Sequence, residues 1–196
     1  MFIDVPDEPA VSEEVSQWYE RQRASWGYLP NYALAFATRP DVAAGWTALS
    51  NAVGKGMDRR RYELATIAAA RTLRSTYCMA AHCKFLRDDV GDEKTMRAIA
   101  DDPTLENLTP TDRAVMEFAA LVAQDASAIS QEDVGRLRSH GLTDGDVADV
   151  VFAAAARTFF TKVLDALGVQ ADAQLGATFD PEMREKVTVG RPIADI

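Results

Sequence analysis

A cysteine and a histidine lie four residues apart near the middle of the chain, as Cys78 and His82. On a helix this spacing rotates the second side chain by only about 40° from the first, so both share one face. An imidazole in that position can take the proton of the thiol, and its charged form can stabilise the thiolate that results. The pair is therefore a candidate nucleophile with its base.

The position of Cys78 within its predicted helix favours a thiolate independently of the histidine. Ser75 is the residue expected to cap this helix, which puts Cys78 three residues later, in the first helical turn. The positive end of the helix dipole stabilises a negative charge there. We interpret Ser75 as the helix cap; a hydroxyl relay to Cys78 is the alternative.

A carboxylate, Glu63, lies fifteen residues before Cys78 in a strongly apolar segment. If it is buried it needs a partner, and contact with His82 would orient the imidazole ring and hold its proton. Simpler alternatives remain for each residue. Glu63 then forms a surface ion pair with Arg59 or Arg60, Cys78 packs in the core, and His82 is a solvated helix residue.

The second cysteine, Cys83, is not expected to pair with Cys78. On a continuous helix it lies about 7.5 Å along the axis and about 140° around it, whereas a disulfide needs Cα atoms about 5.5–6 Å apart. We predict a buried structural thiol. A metal site is not expected either, because only Cys78 and His82 share a face and a closed zinc site needs about four ligands. His140 is predicted to end a helix, where a cationic ring suits the free carbonyls.

The four residues Glu63, Ser75, Cys78 and His82 have the spacing of Glu-x11-Cys-x2-Cys-x3-His. This pattern resembles the motif of alkylhydroperoxidase D-like proteins in the carboxymuconolactone decarboxylase superfamily. Tyr77, the aromatic residue before the second cysteine position, also resembles that family. Flanking segments at 29–31, 39–40 and 159–168 are similar to its peroxidase-related branch, so the resemblance covers about residues 15–170.

The resemblance implies a multi-helix alkylhydroperoxidase D-like bundle that reduces hydroperoxides. In that family the two cysteines form a redox pair, the second becomes a sulfenic acid after attack on a peroxide, and Glu and His relay protons. Cys78 matches the second cysteine, with Tyr77 as its aromatic neighbour, and His82 and Glu63 match the proton relay. Ser75 replaces the first cysteine, so the usual intramolecular disulfide cannot form.

The missing cysteine leaves three functions open. In the leading one, Cys78 attacks a small-molecule peroxide and an external thiol reduces the sulfenic acid, with no cofactor. The alternatives are a carboxymuconolactone decarboxylase-like enzyme that uses general acid–base residues, and a catalytically degenerate helical oligomer. The resemblance also implies a homo-oligomer, a trimer or hexamer, for which Trp46, Leu49 and Val53 offer an apolar face.

Helical periodicity dominates the chain, which predicts an all-α fold class. The predicted helices cover residues 11–26, 32–37, 41–53, 59–73, 76–90, 93–100, 111–123, 130–139 and 143–167. Gly54-Lys55-Gly56 is predicted to be a connector. The stretch Lys186-Val187-Thr188-Val189 is the one segment with strand-like character.

We predict a single domain over residues 1–196, with helical halves at about 11–100 and 109–170 and a C-terminal arm over 178–196. The acidic, proline-containing segment 101–110 separates the halves. Residues 63–72 resemble residues 149–158, because each segment joins an acidic residue, an alanine-rich stretch and Arg-Thr. This similarity indicates either a duplicated helical unit or two buried helices of like composition.

The charge of the chain argues against two classes of partner. Its 30 acidic and 21 basic residues give a net charge of -9, and an acidic surface repels both nucleic-acid phosphates and anionic lipid. The N-terminus has no basic stretch followed by an apolar one, so no secretory signal is predicted. With two cysteines and no long apolar run, we expect a cytoplasmic protein without membrane contact.

Overall fold

Every regular element in the described part of the chain is helical. The computed structural model describes residues 1–5, 11–102 and 104–195. Its α-helices are α1 Glu13–Trp26, α2 Asn31–Phe36, α3 Pro40–Gly56, α4 Arg59–Thr72, α5 Thr76–Asp88, α6 Glu93–Asp101, α7 Pro110–Asp125, α8 Gln131–Ser139, α9 Asp144–Ala166, α10 Ala173–Gly176 and α11 Pro181–Val187. The predicted all-α fold class is confirmed.

Helix α4 lies at the centre of the bundle because its sequence is apolar on almost every side. Its residues from Tyr62 to Ala70 are all buried, and it packs against α5, α7 and α9. Asp58 caps it by accepting a hydrogen bond from the backbone N–H of Arg61 at 2.8 Å. The central position of α4 places Glu63, a polar residue, in the interior.

Packing of α4 joins the two predicted halves in one core, since α4 belongs to the first half and α7 and α9 to the second. The division into halves and the possible duplication stay predictions. Pro103, in the predicted boundary segment, and Ile196, at the end of the predicted arm, lie outside the described residues.

The turn between α4 and α5 determines where Ser75 points. The backbone N–H of Ser75 donates to Ala70 O at 2.9 Å, and its carbonyl accepts from Met79 N at 2.9 Å to begin α5. Its hydroxyl is fully buried, does not cap the helix and makes no hydrogen bond of normal geometry among the described residues. Burial raises the pKa of the Asp165 carboxyl, and the Ser75 hydroxyl counteracts that shift. Ser75 therefore occupies the N-cap position of α5, as predicted, but its hydroxyl does not make the capping hydrogen bond. Cys78 lies in the first turn of the helix.

The glycine-rich stretch 54–56 is the last turn of α3 and not a connector. The helix ends at Gly56, and the next residue, Met57, has an extended backbone (φ -111°, ψ 148°) that lets its side chain enter the core. Burial of Met57 thus fixes the end of the helix, and the two glycines do not.

The strand-like stretch 186–189 is not a strand, because α11 includes its first half. Asp180 accepts a hydrogen bond from Met183 N at 2.8 Å, and Pro181 occupies the first helical position. Met183 and Val187, four residues apart, are both buried, and α11 packs on α5 and α6. Together with the buried Ile193, they attach the C-terminal segment to the body of the protein.

Large apolar side chains are exposed on neighbouring helices α3 and α9. Trp46 stacks on Phe160 in the interior, with ring centroids 4.7 Å apart, whereas Leu49, Phe152 and Phe159 are exposed. They offer an apolar surface for the expected homo-oligomer, which stays a prediction. In the described ranges, the helices lack the combined length and apolar character that a membrane crossing requires.

Candidate active site

A cavity of about 640 Å³ opens beside α5 and brings together four of the five predicted site residues. Glu63 enters it from α4, and Tyr77, Cys78 and His82 enter it from α5. Ser75 is not among the residues that line it. The cavity is large enough for a small organic molecule.

The predicted contact between Glu63 and His82 is present and is buried. His82 Nδ1 lies 2.5 Å from Glu63 Oε2. The other carboxylate oxygen, Oε1, lies 2.9 Å from Arg59 Nη2, at an angle that leaves it without an aligned hydrogen bond. Glu63 is thus both a partner of the histidine and one half of an ion pair with Arg59, which reaches it from a half-exposed position.

The histidine is uncharged in this environment, which suits the proton-accepting role expected of it. Burial lowers the pKa of His82 to about 4, and the charge of Arg157 acts in the same direction, although Glu63 opposes both. Near neutral pH, the Nδ1–H therefore donates to Glu63 and the Nε2 lone pair remains as a base. The positive charge nearest the thiol must come from another residue.

That charge comes from α9, from two residues that the sequence analysis did not identify. Cys78 Sγ lies 3.8 Å from Arg157 Nη1 and accepts a hydrogen bond from Thr161 Oγ1 at 3.4 Å. No hydrogen bond joins Cys78 to His82 in the described structure. Both donors are directed at the sulfur and one of them is cationic, so they can stabilise a negative charge that develops there during a reaction.

Arg157 is buried without a carboxylate partner among the described residues. Its Nη2 donates to the Tyr62 hydroxyl at 3.3 Å, and its guanidinium carbon lies 5.7 Å from the Trp46 ring and 5.3 Å from the Phe160 ring. Burial disfavours its charge, but Cys78 and Tyr62 outweigh burial and raise its pKa. One signal was available in the sequence, because Arg157 ends the alanine-rich segment that resembles residues 63–72.

Tyr77 serves a different part of the cavity wall. Its hydroxyl donates to Asp172, which also accepts from the Tyr28 hydroxyl at 3.3 Å and from the backbone N–H of Asn31 at 2.6 Å. Asp172 is buried, and burial raises the pKa of its carboxyl. The Asp172 carboxylate thus connects α2, α5 and the segment after α9. Tyr77 is the residue of α5 that makes this connection, so its role is to stabilise the cavity wall. The motif did not indicate Asp172.

Cys83 is buried, is a free thiol and does not line the cavity. Burial raises the pKa of its thiol to about 12, so it is protonated at neutral pH. It therefore fits the predicted structural role.

We predict that His82 makes stability depend on pH between its ordinary pKa of 6.5 and its folded value of about 4. In that window the unfolded chain binds a proton at His82 that the folded chain excludes, so stability falls as the pH falls. The effect is about 2 kcal/mol between about pH 7 and about pH 5. Urea unfolding of wild type and His82→Asn at both values measures it, since the variant should lack this component. Equal pH slopes in the two proteins contradict the assignment of a neutral histidine.

Comparison with known proteins gives a family match for the segment that contains most of these residues. Residues 40–102 match the model of the Carboxymuconolactone decarboxylase family, and this segment contains Glu63, Cys78 and His82. No curated protein matches the chain.

Solved structures share the fold over most of the chain. An uncharacterized peroxidase-related protein from Ralstonia eutropha JMP134, described as an alkylhydroperoxidase AhpD core, is 23% identical with a TM-score of 0.80, covering 89% of this chain and 93% of that one. A peroxidase-related protein from Silicibacter sp. TM1040 is 22% identical with a TM-score of 0.79, covering 89% and 93%. The debrominase Bmp8, solved with 2,3,4-tribromopyrrole, is 15% identical with a TM-score of 0.76, covering 93% and 97%. Residues 40–102 thus match the carboxymuconolactone decarboxylase family, within a chain that has the fold of alkylhydroperoxidase D-like, peroxidase-related proteins.

Proposed function

We propose that this protein is an oxidoreductase that reduces organic hydroperoxides through a sulfenic acid on Cys78. The observation that supports this most directly is the environment of the sulfur. Cys78 receives donors from Arg157 and Thr161 and lines the same cavity as the His82–Glu63 pair. A nucleophile, a cation and a base therefore surround one space where a small substrate can bind.

The reaction needs only these groups and the peroxide. The Cys78 thiol loses its proton to the free Nε2 of His82, with the bound peroxide as the bridge between them. The thiolate attacks the terminal oxygen of the peroxide, so an S–O bond forms and the O–O bond breaks with its electron pair on the departing alkoxide. The alkoxide takes the proton back from His82, and the products are a sulfenic acid and an alcohol. Sulfur is oxidised by the two electrons that reduce the peroxide.

An external thiol completes the cycle in this proposal. It condenses with the sulfenic acid and releases water, and a second thiol then reduces the mixed disulfide to regenerate Cys78. An internal route is disfavoured, because Ser75 has no sulfur and the buried Cys83 lies off the cavity.

The walls of the cavity favour an aromatic organic substrate over hydrogen peroxide. Of the sixteen Phe, Trp and Tyr residues in the chain, eight line the cavity. Aromatic walls bind flat apolar groups through offset and edge contacts. Hydrogen peroxide leaves most of this space unused, so we infer a preference for aryl-substituted hydroperoxides.

Reductive dehalogenation is a second candidate, favoured by the same aromatic cavity and by the debrominase with tribromopyrrole bound. The Cys78 thiolate would attack the bromine of a protonated bromoarene. The carbon–bromine bond then breaks, the arene retains the new hydrogen, and a sulfenyl bromide forms. Two external thiols reduce that species to the free cysteine and release bromide.

Intact-mass spectrometry with a sulfenic-acid trap distinguishes the candidates. Cumene hydroperoxide should convert Cys78 to the trapped sulfenic acid in one turnover, faster than hydrogen peroxide does. A tribromopyrrole that loses bromide without peroxide favours the second candidate. If neither reagent reacts faster with the protein than with free cysteine, Cys78 is not the catalytic nucleophile. The acid–base alternative based on Glu63 and His82 then takes its place.

A further inference from the structure

Arg157 has hydrogen-bond donors that the resting site does not use. A guanidinium carries five N–H groups, and those of Arg157 reach Cys78 through Nη1 and Tyr62 through Nη2. The Nε–H is buried and has no partner in the described structure. Buried charged donors are normally paired, so this guanidinium, which lines the cavity, has donor capacity that no protein group in the described structure uses.

The other cations of the cavity are already neutralised. Arg59 pairs with Glu63 at 2.9 Å, and Lys84 pairs with Asp88 at 3.0 Å. Arg157, only 6% exposed, is the cavity cation that lacks a carboxylate partner among the described residues. A negative charge that appears during the reaction is therefore best stabilised at this guanidinium.

The proposed reaction creates such a charge beside the sulfur. As the thiolate attacks, one negative charge leaves sulfur and develops on the departing oxygen. A permanently anionic ligand would compete with the thiolate for Arg157, whereas a charge that moves from sulfur to oxygen does not. Because Nη1 already contacts Sγ, the same guanidinium can stabilise the negative charge first on the sulfur and then on the departing oxygen.

We propose that Arg157 is a catalytic residue whose guanidinium binds the departing oxygen of the peroxide attacked by Cys78. This inference rests on the proposed peroxide reaction. Arg157 then also determines the substrate preference. Stabilisation of the leaving oxygen increases the rate most for alkyl hydroperoxides, because an alkoxide is a poor leaving group. Peroxy acids, whose carboxylate leaves readily, need this help least.

The test compares leaving groups in Arg157→Met, Arg157→Lys and the control variant Arg71→Met. Arg71 is the counterpart of Arg157 in the similar segment, but it donates to Ile99 O, away from the cavity. Rates of Cys78 oxidation are measured with cumene hydroperoxide and with peroxybenzoic acid. Alkylation by iodoacetamide, which has no oxygen leaving group, reports any loss of thiolate.

After correction for the alkylation rate, Arg157→Met should slow the oxidation of Cys78 by cumene hydroperoxide by about 10²–10³-fold. Its oxidation by peroxybenzoic acid should slow far less. Arg71→Met should leave both oxidation rates unchanged. Arg157→Lys should be intermediate. An equal loss for both oxidants and for iodoacetamide means that Arg157 only supports the thiolate or the fold, and overturns the inference. If iodoacetamide alkylates Cys78 of the wild type normally but neither oxidant oxidises it, the proposed function itself is refuted.

Discussion

Replacing Cys78 by Ser is expected to abolish peroxide-dependent oxidation, whereas replacing Cys83 by Ala should leave the rate nearly unchanged. Cys78 is the thiol at the cavity, with Arg157 and Thr161 directed at its sulfur. Cys83 is buried elsewhere, and burial raises its pKa to about 12, so it has almost no thiolate at neutral pH. Stopped-flow measurement of the second-order rate of sulfenic acid formation checks both results.

The two cysteine variants are a matched pair because both residues are buried on α5, five positions apart. Each loses one buried sulfur and is expected to lose about 1 kcal/mol of stability. Thermal unfolding by circular dichroism verifies that both fold. If Cys83→Ala is the variant that loses reactivity, our assignment of the nucleophile is wrong.

Replacing His82 by Ala should slow oxidation of Cys78 by about 10²–10⁴-fold, the usual contribution of a positioned base. The free Nε2 of the neutral imidazole is the proton acceptor in the proposed step, and Glu63 holds the ring through Nδ1 at 2.5 Å. The loss should shrink as the pH rises, because hydroxide then removes the thiol proton without help. A pH–rate profile of sulfenic acid formation measures both effects.

Two variants separate chemistry from folding in this experiment. His82→Asn keeps a donor for Glu63 but has no base, so it should be as slow as His82→Ala while remaining more stable. His140→Ala removes the other histidine of the chain, away from the cavity, and should react as wild type does. An active His82→Asn variant would show that the imidazole only orients Glu63.

Local sequence predicted the parts of the site that lie within one helical hairpin. The four-residue spacing from Cys78 to His82 and the apolar surroundings of Glu63 sufficed to predict the buried Glu–His contact. These residues belong to α4 and α5, which follow each other directly, so periodicity determines their relative positions. The start of α5 was predicted from Ser75, which occupies the N-cap position in the structure.

The sequence did not reveal the electrostatics of the thiol, because these come from distant residues. Arg157 is 79 residues from Cys78, and no spacing rule connects them. Burial and the charge of Arg157 also lower the pKa of His82, an effect that residue spacing could not predict. Likewise, residues 186–187 are helical despite their strand-like sequence, because the helix buries Met183 and Val187 on one face. Tertiary packing overrides local propensity in such cases.

The long separations that complete the site have a consequence for how the chain matures. The donors to Cys78 come from residues 79 and 83 positions later, and Asp172 bridges to Asn31 across 141 positions. Contacts of this span are costly in loop-closure entropy and form late in folding. A ribosome-bound chain that has only its first half therefore contains Cys78 as an ordinary thiol. Under the proposed function, the reactivity of Cys78 therefore develops only after α9 has docked on α5.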